Sequence, residues 1–408
     1  MSKIKITNFG PIKSGYQEND GFLEIKKTTL FIGNQGSGKS TVAKTISVFS
    51  WLEKSINRGD TQNITFSKFI NFFNYQKIHN YFKKNTYLEY FGEKYYIKYD
   101  TSEKHPIIRE IEDSQYVVPK IMYVPAERNF LSTISDAYNM KGLPDNIFTF
   151  AEELKKAQKA TNGEKVELQI GTYKYKYKES EDISIVVGDD YQVNLLEASS
   201  GLQSYIPLYL VSHHLCMSIT KDEAILKKNM SVTQSIRMEN EIKTLMLNKT
   251  ISDNNTTKEI DKIQSRYYNK CFFNIVEEPE QNLFPTSQWE MLKTILFFNG
   301  LNKENKLLIT THSPYIINYL AIAVKAYQIK INTKISTGSI HDLAKLIPPT
   351  STINPNNLAI YEFNENDGTI QKLSNYNGLP SDENLLNSGL GQINDLFINL
   401  LEIEDKCQ

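Results

Sequence analysis

Short apolar runs that end in polar clusters alternate along this chain with longer segments of helical period. The run 28–32, Thr-Thr-Leu-Phe-Ile, is strand-like, and 40–49 has helical spacing with no breaker. Two more runs read as buried strands. One is 271–276, ending in Glu277-Glu278-Pro279-Glu280; the other is 307–311, ending in His312-Ser313-Pro314. An apolar-periodic helix is predicted over 205–215, behind Ser199-Ser200-Gly201. Alternation predicts a hairpin over 84–100, turning at Phe91-Gly92-Glu93, and further strands over 166–195. Tyrosines and lysines alternate over 173–178. That pattern predicts a half-buried strand with a solvated lysine face; a stacking platform for nucleic acid is the alternative. Helices are predicted near 151–160, 235–247 and 257–268, the last two forming a hairpin joined by Ser252-Asp253-Asn254-Asn255. Beyond 320 the pattern loosens, although 358–363 reads as a strand. The end carries a helical apolar face of Leu386, Leu390, Ile393, Leu396, Phe397 and Leu400, expected to pack on its own domain or, alternatively, on another subunit.

The polar clusters carry the candidate chemistry. Gly33-Asn34-Gln35-Gly36-Ser37-Gly38-Lys39-Ser40, followed by Thr41, fits the phosphate-loop pattern, in the strand–loop–helix setting that the chemistry needs. Glycines let backbone N–H groups curl around a β-phosphate, and the helix N-terminus adds partial positive charge. Lys39 is then expected to reach the β- and γ-phosphates of ATP, and the Ser40 hydroxyl to ligate Mg²⁺. A buried strand delivering two carboxylates at its carboxyl end is the other half of such a site. Glu277 is expected to hold the Mg²⁺ shell and Glu278 to polarise the attacking water. His312 is a candidate sensor of the γ-phosphate. Ser199, Ser200 and Gly201 open a helix with free N–H groups, a second anion site.

Composition narrows the class without deciding it. The chain has 408 residues, with 46 basic and 47 acidic side chains and a net charge of −1, so there is no global electrostatic case for a nucleic-acid binder. Cys216, Cys271 and Cys407 are isolated, which suggests neither a disulfide framework nor a zinc site. The start opens directly into a strand pattern, and the most apolar stretch is too short to span a bilayer, so a soluble cytoplasmic protein is expected.

Taken in order, the phosphate loop, the Ser-Ser-Gly-x-Gln signature, the double-glutamate strand and Thr311-His312-Ser313-Pro314 resemble the head of an ABC-type ATPase. Glu277-Glu278-Pro279-Glu280-Gln281-Asn282-Leu283-Phe284-Pro285 is similar to an element of the OLD and Rad50-like ATPases. Phe284 stands where that family commonly has histidine, and Ala198 and Ser200 depart from its usual signature. The resemblance implies an α/β fold, a mixed sheet plus an antiparallel β-layer with helical insertions. Its parts are 1–128 and 166–210 (head), 129–165 (short insertion), 211–270 (helical hairpin), 271–330 (head, acidic strand and histidine) and 331–408 (extension). It further implies a homodimer or higher homo-oligomer. ATP and Mg²⁺ would lie between one phosphate loop and the partner's Ser199, Ser200 and Gly201. The segment 123–129 lies where such heads carry a glutamine, and none occurs there. Glu127 or Arg128 is the candidate substitute, against a plain structural ion pair.

No Asp-x-Asp strand pair with an upstream glutamate follows residue 320, so no nuclease domain is expected within the chain. The layout resembles the ATPase subunits of two-gene bacterial anti-phage systems, of the Septu and PARIS types. That implies a switch acting on a separately encoded effector protein, a nuclease, with a phage protein or DNA as trigger and no membrane. The alternative is a DNA-repair ATPase, RecF- or Rad50-like, whose closed dimer clamps DNA.

Overall fold

A computed structural model describes residues 2–61, 63–103, 105–112, 114–134, 140–219, 226, 230–247, 253–332 and 337–407. The strands in chain order are β1 Lys3–Phe9, β2 Gly15–Tyr16, β3 Leu23–Glu24, β4 Thr28–Gly33, β5 Phe82–Phe91, β6 Tyr95–Asp100, β7 Ile107–Glu110 and β8 Pro119–Val124. They continue with β9 Lys165–Glu167, β10 Lys174–Lys178, β11 Ile183–Val187, β12 Gln192–Asn194, β13 Cys271–Glu277, β14 Lys306–Thr311, β15 Leu358–Phe363 and β16 Thr369–Lys372. The helices are α1 Lys39–Asn57, α2 Phe66–Tyr75, α3 Asp145–Ala160, α4 Ser200–Met217, α5 Val232–Leu247, α6 Asp253–Tyr267, α7 Pro285–Gly300, α8 Pro314–Lys330, α9 Thr337–Leu346 and α10 Leu385–Cys407.

The apolar runs build the central sheet, in the order β2-β16-β15-β4-β14-β13-β8. From β15 to β8 every neighbouring pair is parallel. A parallel sheet is covered on both faces, which is why its strands read as continuous apolar runs. Side chains of β4 and β13 alternate between two cores. Leu30, Ile32, Phe272 and Val276 join α3, α4, α7 and α8 on one face. Phe31, Phe273 and Ile275 join α1, α2 and the first antiparallel sheet on the other.

Two antiparallel sheets flank this centre, where the sequence suggests one layer. The first is β3-β1-β5-β6-β7 and the second is β12-β11-β10-β9. Each buries its own face on a different side of the central sheet. In β10, Tyr175 and Tyr177 are buried while the lysines are half-exposed. Those rings therefore belong to the core and offer no stacking platform. Strand β15, from the segment read as an extension, lies directly beside β4 in the main sheet.

Helices α5 and α6 pack together around Met238, Ile263, Tyr267 and Tyr268, close to the predicted hairpin. Residues 253–255, read as part of its connecting loop, already belong to α6; the rest of that loop lies outside the described residues. Helix α10 departs from the first expectation for its apolar face. Ile393, Leu396, Phe397, Leu400 and Ile403 are all exposed, and no described residue from 391 to 405 is buried. Among the described residues no helix is long and apolar enough to cross a membrane.

Candidate functional site

The carboxyl ends of parallel strands in an open α/β sheet form a natural ligand crevice. Here β4, β14 and β13 lie side by side, so the phosphate loop, His312 and the two glutamates end at one edge. Strand β4 ends at Gly33, whose φ is 145°; a Cβ there would lie 2.4 Å from the Phe363 carbonyl oxygen. Gly38 caps α1 with φ 102°, in left-handed backbone, and a Cβ would meet Ile12 Cδ1 at 2.5 Å. Both positions need glycine. Between them Asn34, Gln35, Gly36 and Ser37 make the loop, and Lys39, Ser40 and Thr41 open α1. Lys39 is buried. Its ammonium donates to the Gly33 carbonyl at 2.7 Å and the Asn34 carbonyl at 2.8 Å, and lies 3.5 Å from His312 Nδ1. Burial lowers its pKa to about 8, against the pull of Glu278, Glu280, Glu365 and Glu277.

Glu277 ends β13 and is buried; its Oε2 accepts from the Ala126 N–H at 3.4 Å, while Oε1 has no hydrogen-bond partner. Glu278 stands one residue on, in left-handed backbone with φ 41°. That conformation is rare for glutamate and costs about 1–2 kcal/mol. Its N–H donates to the Thr310 carbonyl at 2.9 Å. Its Oε1 lies 3.3 Å from His312 Nε2, and this hydrogen bond, ahead of other causes, holds its pKa below the usual carboxylate value. The two contacts of His312 select the tautomer with the proton on Nε2, leaving Nδ1 to accept from Lys39.

Two further residues belong here that sequence reasoning gave no role, and a third, Arg128, was offered there only as a substitute for the missing glutamine or a structural ion pair. Glu280 Oε1 accepts from Thr311 Oγ1 at 2.7 Å and from the His312 N–H at 2.9 Å, fixing the turn that carries the imidazole. Burial raises its pKa. Glu365, in the turn after β15, accepts from Asn34 Nδ2 at 2.6 Å and so braces the phosphate loop. Arg128 is fully buried and donates to backbone carbonyls, not to a carboxylate. This replaces the ion-pair expectation, and Glu127 is not its partner. The spacing Glu-x-Glu at 278–280 was visible; nothing local in the sequence marked Glu365.

Ser199, Ser200 and Gly201 lie at the N-terminus of α4, with both serines exposed. Among the described residues no hydrogen bond links them to 33–41, so these two segments are not joined within one chain. Gly201 faces the turn after β13: a Cβ there would lie 2.9 Å from the Asn282 carbonyl oxygen. Phe284 is 73% exposed beside this turn. Among the described residues no group of three or more His, Cys, Asp or Glu gathers to hold a metal ion. Mg²⁺, which keeps several waters and takes phosphate oxygens, needs fewer protein ligands. The unpartnered Glu277 Oε1 fits that role.

No family model and no curated protein matches the sequence. Among solved structures the chain is similar to the SMC head domain from Thermotoga maritima, at 9% identity over 92% of this chain and 98% of that one, with a TM-score of 0.40. It is similar to the Smc head domain with an extended coiled coil bound to the C-terminal domain of ScpA, derived from Pyrococcus furiosus. There the identity is 9%, over 97% and 100% of the two chains, and the TM-score 0.36. A dimeric ATP-binding cassette in a post-hydrolysis state, bound to ADP and phosphate, shares 11% identity over 92% and 100%, with a TM-score of 0.28. These likenesses are distant and concern shape alone. By its own strand order, glycine loop and flanking antiparallel sheets, the chain has the expected mixed α/β fold, a largely parallel central sheet with the glycine loop between β4 and α1 and antiparallel sheets on both sides.

Proposed function

We propose that this chain binds ATP and hydrolyses it between two copies arranged head to tail, each copy supplying Ser199, Ser200 and Gly201 to its partner's nucleotide. The convergence of Lys39, Glu277, Glu278 and His312 on one sheet edge carries this reading. A γ-phosphate is a charged acceptor and outcompetes the neutral Gly33 and Asn34 carbonyls for the Lys39 ammonium. It also competes with Glu278 for the single N–H of His312. That competition would leave the Glu278 carboxylate open to a water molecule, for which it is the general base. Ser40 and Glu277 would hold Mg²⁺, whose chemistry is to neutralise charge on the transferring phosphoryl group.

The switch so formed is proposed to control a separately encoded effector of nuclease class in anti-phage defence. AriA of the PARIS system and PtuA of the Septu system are the types it most resembles. The support is the motif order together with a head whose α10 leaves a row of apolar side chains exposed. A pull-down tests this: tagged Glu278→Gln protein is expressed from its native gene neighbourhood and recovered with ATP present. Stoichiometric recovery of a neighbouring gene product with nuclease character supports the switch. Recovery of DNA without a protein partner moves the reading to a repair clamp. Retained ATP affinity in Lys39→Ala would sink the phosphate-loop assignment itself.

A further inference from the structure

At the amino edge of the central sheet a second lysine rests its ammonium on two backbone carbonyls. Lys27, just before β4, is half-buried and donates to the Asn302 carbonyl at 2.6 Å and the Lys303 carbonyl at 3.1 Å. Burial lowers its pKa, against the pull of Glu304. Lys39 in the phosphate loop shows the same arrangement, a desolvated ammonium on two neutral carbonyls. A phosphate oxygen, being charged, is the stronger acceptor in both places.

Lys27 opens onto a cleft of about 410 Å³, within the size range of small-molecule sites. Two more lysines line it. Lys330, at the end of α8, donates to the Pro349 carbonyl at 3.0 Å, and Lys303 follows α7. None of the lining residues is acidic. Among the described residues neither Lys27 nor Lys330 has a carboxylate partner; Lys303 has Glu304 at 3.6 Å, and both of those side chains are exposed. Three cations against one carboxylate favour an anion. Hydroxyls and amides also line the cleft, from Thr350, Thr352, Asn354 and Asn357. In its wall, Asn299 donates through Nδ2 to the Lys27 carbonyl at 3.2 Å and to Thr28 Oγ1 at 3.1 Å, while its buried Oδ1 has no hydrogen-bond partner. A bare anion leaves such an acceptor unpaired, whereas a ligand hydroxyl can donate to it.

The cleft stands apart from the nucleotide edge. Strand β4 runs from Thr28, in the cleft, to Gly33 in the phosphate loop, a span of about 17 Å at the usual strand rise. Helices α7 and α8 begin just after the turns that carry Glu278 and His312, and their other ends, Gly300 and Lys330, line the cleft. The far ends of three elements that frame the nucleotide edge therefore build it.

We propose that this cleft is a second phosphate site, which binds a small phosphate monoester carrying hydroxyl groups, a sugar phosphate or a nucleoside monophosphate. The phosphate takes the ammonium groups of Lys27, Lys303 and Lys330, and the hydroxyl-bearing body lies along the threonine and asparagine wall. The inference goes beyond the ATPase reading and does not depend on it, because none of these residues belongs to the nucleotide edge.

The test uses the full chain carrying Lys39→Ala, to remove the phosphate loop as a competing site. Ribose 5-phosphate, AMP, inorganic phosphate and ribose are titrated by calorimetry. Ribose 5-phosphate is expected to bind one to one with a dissociation constant below about 1 mM, at least about tenfold tighter than inorganic phosphate, and ribose not to bind. Lys27→Gln and Lys330→Gln are each expected to weaken it at least about tenfold, the loss of one charge-assisted hydrogen bond. Hydrogen exchange at 299–303 and 349–354 is expected to slow with the ligand. Tighter binding of AMP than of ribose 5-phosphate identifies a nucleotide and equal binding a sugar phosphate; either result supports the site. If Lys27→Gln fails to fold, Lys330→Gln, at an exposed position, decides. Parental affinity in Lys330→Gln, equal affinity for inorganic phosphate, or no binding up to about 10 mM would overturn the proposal. Binding seen in the parent but lost in Lys39→Ala would place the ligand in the phosphate loop and overturn it as well.

Discussion

His312 Nε2 lies 3.3 Å from Glu278 Oε1, while its Nδ1 lies 3.5 Å from Lys39 Nζ. One imidazole thus stands between the ammonium of the phosphate loop and the carboxylate of the neighbouring strand. Its backbone N–H is held by Glu280. In the proposed function, the hydrogen-bonding state of this ring would link nucleotide recognition to the base.

Replacing that base separates binding from chemistry. Glu278→Gln is expected to keep nucleotide affinity, lower turnover at least about a hundredfold, and accumulate an ATP-bound assembly. Phosphate release and light scattering with ATP measure both. Hydrolysis blocked by Glu277→Gln alone, with Glu278→Gln active, would reverse the roles.

Lys39 sets the pH dependence of binding. Burial lowers its folded pKa to about 8, so the ammonium form is disfavoured by the fold below that pH, and the cost disappears as pH rises from about 8 toward the unfolded value. A phosphate requires the ammonium. ATP affinity is therefore expected to be flat below pH 7 and to fall up to about tenfold per pH unit above 8, with proton uptake on binding. Calorimetry in buffers of different ionisation enthalpy reads the proton; flat affinity to pH 9.5 would contradict the assignment.

Glu280→Gln keeps one acceptor and removes a buried charge. Burial raises the folded pKa of Glu280, so its ionisation opposes folding as pH rises through that value. At pH 7 the glutamine variant is expected to be at least as stable as parent in urea, the gain vanishing toward acid pH. Its turnover is expected to fall about tenfold through loosened His312, with nucleotide affinity kept.

Gly201→Val tests the contact between α4 and the turn after β13. The new Cβ would meet a backbone carbonyl at 2.9 Å, which cannot swing aside like a side-chain end. Turnover is expected to fall at least about tenfold while 33–41 still binds nucleotide, read by affinity and phosphate release.

Leu308→Ala removes a wholly buried side chain from β14 and leaves a cavity in the core shared with α1. A loss of about 2–5 kcal/mol is expected from the urea midpoint and slope.

Much of this was written in local sequence. The strand–glycine loop–helix unit, the Glu-Glu strand end and the strand before His312 are contiguous signals, because phosphate binding and buried parallel strands each impose a local pattern of residue types. Apolar runs placed β4, β13 and β14, and serines ahead of an apolar period marked the N-terminus of α4. What only the tertiary structure decided involves contacts between segments far apart in the chain. The division of the antiparallel strands into two sheets follows from which face of the central sheet each covers. The insertion of β15 beside β4, bringing Glu365 to Asn34, depends on sheet order, which no local period encodes. The partners of Arg128, which the sequence offered only as a substitute for the missing glutamine or an ion pair, were closed to sequence reasoning for the same reason. They are backbone carbonyls, which every residue carries, so no side-chain pattern could point to them. Local chemistry fixed which residues could meet a nucleotide; the packing of distant segments fixed what holds them in place.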